Sequence, residues 1–216
     1  MLTVGYDPDF APITSTNNID EADGRAIRLL REACGKAGVD CRFEPVALPQ
    51  HEACLAAGSI DALAVMAMTP ERRERFTLSD PYLMTGAAWF APKSPKSDES
   101  IPFDPAGVEQ GTRVVTPSAG PLTNVVATRW PHLTVMPATD YRDALEQVAA
   151  DRVFAAALNI DAGTAMCEEL YPGTFALPQT PFLEIPLALA CLKGRSNREF
   201  ERLATALDRV NAGLST

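Results

Sequence analysis

IDALAVMAMTPERRERFTLSDPY, residues 60–82, decides the fold of this 216-residue chain. The apolar run 62–66 after Asp61 is short enough for a strand buried on both faces, as parallel sheets require. Thr69 then reads as a helix cap. Pro70 reads as the first helical residue, because proline's missing N–H would have no helical partner there. That places Arg72 in the first turn, beside a strand end, where ligands of open α/β sheets bind. A planar guanidinium in that position can grip a carboxylate through two parallel hydrogen bonds. Arg72, Arg73 and Arg75 equally fit a solvated helix face, since charged groups are mostly exposed.

Upstream of this stretch, 2–5 reads as a first strand. Asp7-Pro8 and Ala11-Pro12 then make a loop at its C-terminal end. Ile27, Leu30, Cys34 and Ala37 recur at helical spacing, which predicts a helix over 21–37. Cys41, Phe43 and Pro45 alternate with Arg42 and Glu44, so a second strand follows. A short helix at 51–57 precedes the strand after Asp61, and 86–92 is the next strand.

The proline-rich, charged tract 93–107 marks a boundary, and beyond it the alternation restarts. Strands are expected at 113–116, 133–136 and 153–158, with helices at 121–130 and 161–170. A further helix is marked by the face Tyr141, Ala144, Leu145 and Val148. A proline-rich passage, 172–186, leads to a strand at 187–192. The last helix has Ser196 and Glu199 as a capping box, an apolar stripe of Phe200, Leu203, Leu207 and Val210, and Gly213 as its stop. Two α/β units joined by extended strands predict a cleft between lobes.

Composition bounds the function. A hydrophobic content of 46% is that of an ordinary globular protein, with material for a sizeable core. Net charge is −9 without a basic stripe, so nucleic acid and anionic lipid surfaces are poor partners. Apolar runs such as 87–91 and 187–192 are far below the ~20 residues that span a bilayer, so no stable membrane insertion is expected. Residues 2–6 lead directly into polar sequence, which reads as a chain lacking an export signal, either cytosolic or mature. With two histidines, His51 and His132, no CxxC and no HExxH, neither a metal site nor any cofactor is expected.

Cys34 and Cys41 enclose six residues where a helix should turn into a strand. A disulfide can reach across that spacing, and two free buried thiols fit it as well. Cys54, Cys167 and Cys191 read as small core hydrophobes.

Five stretches, taken in order, resemble the extracellular solute-binding proteins of family 3, the periplasmic receptors of polar-amino-acid ABC transporters. They are LTVGYDPDFAP (2–12), GSID (58–61), TPER (69–72), FTLSDPY (76–82) and LALACLKG (187–194). The resemblance covers essentially the whole chain. It implies an α/β, two-lobed type 2 periplasmic-binding-protein fold, each lobe a mixed sheet flanked by helices, closing about two hinge strands. Lobe 1 would be residues 1–90 plus 186–216, and lobe 2 residues 91–185. The Cys34 to Cys41 spacing also resembles a disulfide of histidine-type members, which implies an oxidising, periplasmic compartment.

Carried over position by position, the resemblance places Phe10 as an aromatic cover for the ligand side chain. Arg72 becomes the partner of the ligand α-carboxylate. Ser118, Gly120 and Pro121 fall on the second-lobe loop and helix start, where backbone N–H groups can bind an anion. Members usually carry Gly-Thr-Thr there, whereas Pro121 has no N–H and Ser118 also reads as a turn residue. Asn159 stands where the family's aspartate takes the α-ammonium, with Asp161 as a substitute or as a helix N-cap. Met66, Ala67 and Met68 replace the customary Gly-Met-Thr, so Met66 and Met68 line either the pocket or the core.

The leading function is therefore capture of a small carboxylate-bearing solute, an amino acid among the candidates, and transient delivery to an ABC transporter permease by a monomer. An accessory or sensory module with a protein partner is the alternative, because three of the four polar anchors depart from the amino-acid-binding pattern. A cyclohexadienyl dehydratase-like enzyme is a lesser one, since no paired catalytic arrangement and no GxSxG around Ser118 is present. The expectation is a binding protein and not an enzyme.

Overall fold

A computed structural model describes residues 1–93 and 103–214. Most of the proline-rich tract at 93–107 therefore lies outside the described residues. The strands are β1 (Leu2–Tyr6), β2 (Asp9–Phe10), β3 (Thr14–Thr16), β4 (Ala22–Asp23), β5 (Cys41–Pro45), β6 (Ala62–Ala67), β7 (Phe76–Leu78), β8 (Leu83–Pro92), β9 (Arg113–Pro117), β10 (Thr134–Ala138), β11 (Ala155–Asn159), β12 (Phe175–Ala176) and β13 (Leu183–Leu192). The helices are α1 (Arg25–Ala37), α2 (His51–Ala57), α3 (Pro70–Arg75), α4 (Leu122–Arg129), α5 (Tyr141–Ala149), α6 (Ile160–Leu170) and α7 (Arg198–Leu214). They divide into two compact units, Met1–Met84 with Ile185–Thr216, and Thr85–Glu184. The chain passes from one to the other within β8 and returns within β13.

In the first unit β1 pairs in parallel with β5 and β6, while β13 pairs antiparallel with β6 and β7. β6 is buried along 62–66, as a central strand flanked on both faces must be. Its Leu63 and Met66 pack with Val46, Leu55, Ile60, Phe76 and Ala190. Met66, a candidate pocket residue, is 3% exposed and belongs to this core. On the amphipathic α1, Ala26, Ile27, Leu30, Ala33 and Cys34 are buried, and the helix packs against α7 and β6.

α1 starts four residues later than its periodicity predicts, because β3 and β4 form a three-stranded sheet with β2. These strands are two or three residues long, too short for alternation to reveal. The α1 C-terminus closes on Gly38 at φ 58, whose N–H and that of Val39 reach carbonyls of the last turn. That reversal brings Cys34 and Cys41 to a Cα separation of 6.5 Å, and they form a disulfide.

Segment 79–82 is sewn onto β13. The Ser79 N–H donates to the Leu189 carbonyl and the Ser79 hydroxyl accepts from the Leu189 N–H, at 2.9 and 3.1 Å. Tyr82 donates its buried hydroxyl to the Ala64 carbonyl at 2.6 Å, which ties the segment to β6. Burial without a charged partner raises the Tyr82 pKa, so it serves as a neutral donor. Asn197, not Ser196, caps α7: its side chain accepts from the Phe200 N–H at 2.8 Å, while Ser196 donates to Glu201. The helix also runs through Gly213 to Leu214.

In the second unit β9 pairs in parallel with β10 and β11, and β8 pairs antiparallel with β11 and β12. Alternation along these strands separates two cores. Ala88, Phe90, Val115, Ala156 and Leu158 face α5 and α6. Trp89, Ala91, Val114, Ala155 and Ala157 face α4 and its surrounding aromatic rings. At Gly163 a Cβ would lie 2.5 Å from the Phe90 ring, so only glycine lets α6 approach β8 this closely.

Candidate functional site

Arg72 stands where β6 ends and α3 begins. The Thr69 side chain accepts from the Arg72 N–H at 3.3 Å with Pro70 in the first turn, as the sequence predicts. The helix starts so close to the strand end that the Arg72 guanidinium donates back to the Ala67 carbonyl at 3.3 Å. Its Nε lies 3.6 Å from Glu52 Oε1, and the side chain is 16% exposed. Burial lowers the Arg72 pKa, and the Glu52 carboxylate opposes that fall. A guanidinium is not deprotonated in a protein, so the group stays a cation at neutral pH. It is a shielded positive charge anchored on a strand end, with guanidinium donors beyond the two used by Ala67 and Glu52.

Glu52 is a residue that the sequence reading passed over. It sits on α2, twenty residues upstream, and its other oxygen receives Arg75 at 2.6 Å. No periodicity links the two positions; only the packing of α2 beside α3 does. The neighbouring His51 is buried, with Nε2 2.9 Å from the Val46 carbonyl. Burial pushes its pKa down to about 4, with the Val46 hydrogen bond opposing and the Arg72 charge assisting. At neutral pH the ring is therefore neutral and donates from Nε2.

The remaining first-unit candidates flank this position unevenly. Ala67 contributes its carbonyl, and Met68 is half-buried, its N–H bonded to the Pro186 carbonyl at 3.1 Å. Phe10 lies on β2 opposite Thr14, half-buried.

In the second unit the α6 N-terminus collects the other candidates. Asn159 is 4% exposed and is the N-cap. Its Oδ1 accepts from the N–H groups of Asp161 and Ala162 at 3.0 and 3.1 Å. The N-cap role expected for Asp161 thus belongs to Asn159, since only the residue before the helix can turn its side chain onto those N–H groups. The Asn159 amide donates to Thr85 Oγ1 at 2.9 Å, and Thr85 donates to Asp161 Oδ2 at 2.5 Å. Thr85, which the sequence reading also missed, thereby orients a half-buried carboxylate at the positive end of a helix.

The loop before α4 is tied down from behind. The Ser118 N–H donates to the Ala138 carbonyl at 2.8 Å, and the Thr116 and Thr123 hydroxyls lie 2.7 Å apart. Ser118 and Gly120 are exposed, and Gly120 adopts φ 116. Pro121 occupies the N-cap without a side-chain bond. Among the described residues no cluster of three or more His, Cys, Asp or Glu side chains is placed to hold a metal. No helix among them is long and apolar enough to cross a membrane.

The profile of the bacterial extracellular solute-binding proteins, family 3, matches residues 2–214, and the chain belongs to that family. No curated relative matches it in sequence. Among solved structures it is similar to the Bordetella pertussis BvgS VFT2 domain, with TM-score 0.79 and 20% identity over 99% of this chain and 91% of that one. An ancestral arginine-binding protein bound to glutamine matches at TM-score 0.80 and 22% identity, over 98% and 92% of the two chains. The ancestral amino acid-binding protein AncCDT-1, a precursor of cyclohexadienyl dehydratase, matches at TM-score 0.77 and 18% identity, over 99% and 88%. At such identities the likeness is one of fold, and the fold is that of the type 2 periplasmic binding proteins.

Proposed function

We propose that this family-3 chain is a periplasmic solute-binding protein that captures a small carboxylate-bearing solute, with an amino acid among the candidates, and passes it to the permease of an ABC importer. The reading rests on one observation above all. Arg72 is a cation held by Ala67 at the end of a central strand, largely shielded from water. A guanidinium in that setting binds a carboxylate far more strongly than it would in bulk solvent. Phe10 supplies an apolar surface from the same unit. In the second unit Asp161, steered by Thr85, offers a carboxylate to a cationic group, while Ser118, Gly120 and Pro121 shape the loop beside the α4 N-terminus. Release to a permease requires only transient contact, and the protein works as a monomer.

Isothermal titration against a panel of amino acids and small organic acids tests this reading. Any ligand found should lose at least tenfold in affinity in Arg72→Ala, about the worth of a charge-assisted hydrogen bond. Unchanged binding in Arg72→Ala refutes the assignment.

A second reading draws on the Arg72–Glu52 pair and on Asn159. Arg72 already has an internal carboxylate, and Asn159 is spent as a cap and carries no charge. Both are what a sensory module needs if it answers to a protein partner without a solute, and one structurally similar protein is a domain of BvgS. Silence across the whole panel, with a folded protein, favours this second reading.

A further inference from the structure

Glu52 does more than decorate the surface beside Arg72. Its two carboxylate oxygens are divided between two arginines, Oε1 at 3.6 Å from Arg72 Nε and Oε2 at 2.6 Å from Arg75 Nη1. The partners differ in solvent access: the Arg72 side chain is 16% exposed, Glu52 36% and Arg75 59%. The Arg75 contact is therefore screened by water, whereas the longer contact to Arg72 acts through a less polar medium. The neighbouring His51 is neutral and adds no charge. Arg72, the cation that a solute carboxylate would meet, thus carries a resident anion.

We propose that Glu52 is the specificity-determining counter-ion of Arg72, and that Arg75 sets how strongly it acts by drawing the same carboxylate outward. The proposal rests on the Arg72 reading above and deepens it. An anion approaching Arg72 meets the Glu52 charge at close range, so every carboxylate is weakened. A dicarboxylate, with a second negative group to place, is weakened more than a zwitterion, whose ammonium offsets the repulsion. The substrate class selected is a zwitterionic or monocarboxylate solute, against dicarboxylates. Arg75→Gln should strengthen the hold of Glu52 on Arg72, and Glu52→Gln should remove it while keeping the side chain's shape.

Phenylglyoxal modification of individual arginines, followed by peptide mass mapping, reads this directly. The exposed Arg73 serves as an internal reference. Arg72 should be modified about fivefold faster in Glu52→Gln, the scale of a partly exposed ion pair, and more slowly than wild type in Arg75→Gln. Rates that stay equal, or that rise together in both variants as general loosening would cause, overturn the proposal. Titration with succinate, followed by the Arg72 Nε resonance, supplies the second readout, and Glu52→Gln should bind it at least fivefold more tightly than wild type. Opposite changes in the modification rates with no response at Arg72 to succinate, acetate or the amino-acid panel in any variant would uphold the counter-ion and refute the carboxylate reading.

Discussion

His51 should make the stability of the first unit depend on pH. Its imidazole is buried, donates to the Val46 carbonyl at 2.9 Å, and has its pKa lowered from 6.5 to about 4 by burial, with the Arg72 charge adding to the shift. Protonation would place a second cation beside Arg72 in a site that cannot hydrate it. Because the folded pKa lies below the unfolded one, the unfolded chain takes up the proton first as pH falls. Stability attributable to neutral His51 is complete above about 6.5 and is lost between there and about 4. From pH 7.5 to 5.0 this linkage amounts to about 2 kcal/mol. Urea denaturation of wild type and His51→Gln at the two pH values isolates it, since glutamine keeps a neutral donor for Val46 and other titrating groups cancel in the difference. Wild type should lose about 2 kcal/mol more than the variant. Equal losses would mean that His51 is hydrated or charged in the native state, and the reasoning would fail.

Three further outcomes follow from local geometry. Reducing the Cys34–Cys41 disulfide, or replacing both residues by serine, should destabilise the first unit by about 2–3 kcal/mol on the loop-closure account, read as a lower urea midpoint with the m-value nearly unchanged. Gly163→Ala gains helix propensity but drives a methyl group to within 2.5 Å of the buried Phe90 ring. A net loss of about 1–3 kcal/mol by thermal denaturation is expected, and stabilisation would show that α6 can move. Asn159→Ala removes the cap of α6 and leaves Thr85 without its amide donor, so a loss of about 1–2 kcal/mol is expected, together with faster amide exchange at Asp161 and Ala162.

Several short-range rules hold in the structure, although the Ser196–Glu199 capping box and the Gly213 stop do not. The Thr69-Pro70 cap, the buried run 62–66 and the α1 stripe through Ile27 and Leu30 depend on neighbours three or four residues apart, so they can be read in a line. The short strands β2, β3, β4, β7 and β12 were not legible, because two or three residues are less than one full alternation. The identity of a cap was also ambiguous. Ser196 competes with Asn197, and Asp161 with Asn159, and each choice turns on a helix start displaced by one or two residues, which composition does not reveal. The candidate site was half legible. Arg72 could be placed from its motif, but its partner Glu52 and the Thr85 hydroxyl that steers Asp161 come from positions 20 and 76 residues away. Such pairs arise only when helices and strands pack. Met66, for which the sequence left pocket and core open, packs with Leu55, Ile60 and Phe76 in the core.

The central claim is that Arg72 receives the carboxylate of a bound solute, and a crystal structure of the protein purified without refolding, with its co-purified or panel-identified ligand, tests it most directly. The account predicts a ligand carboxylate oxygen within about 3 Å of an Arg72 guanidinium nitrogen, a normal charge-assisted distance. A solute bound elsewhere while Arg72 keeps only its Ala67 and Glu52 contacts would contradict it.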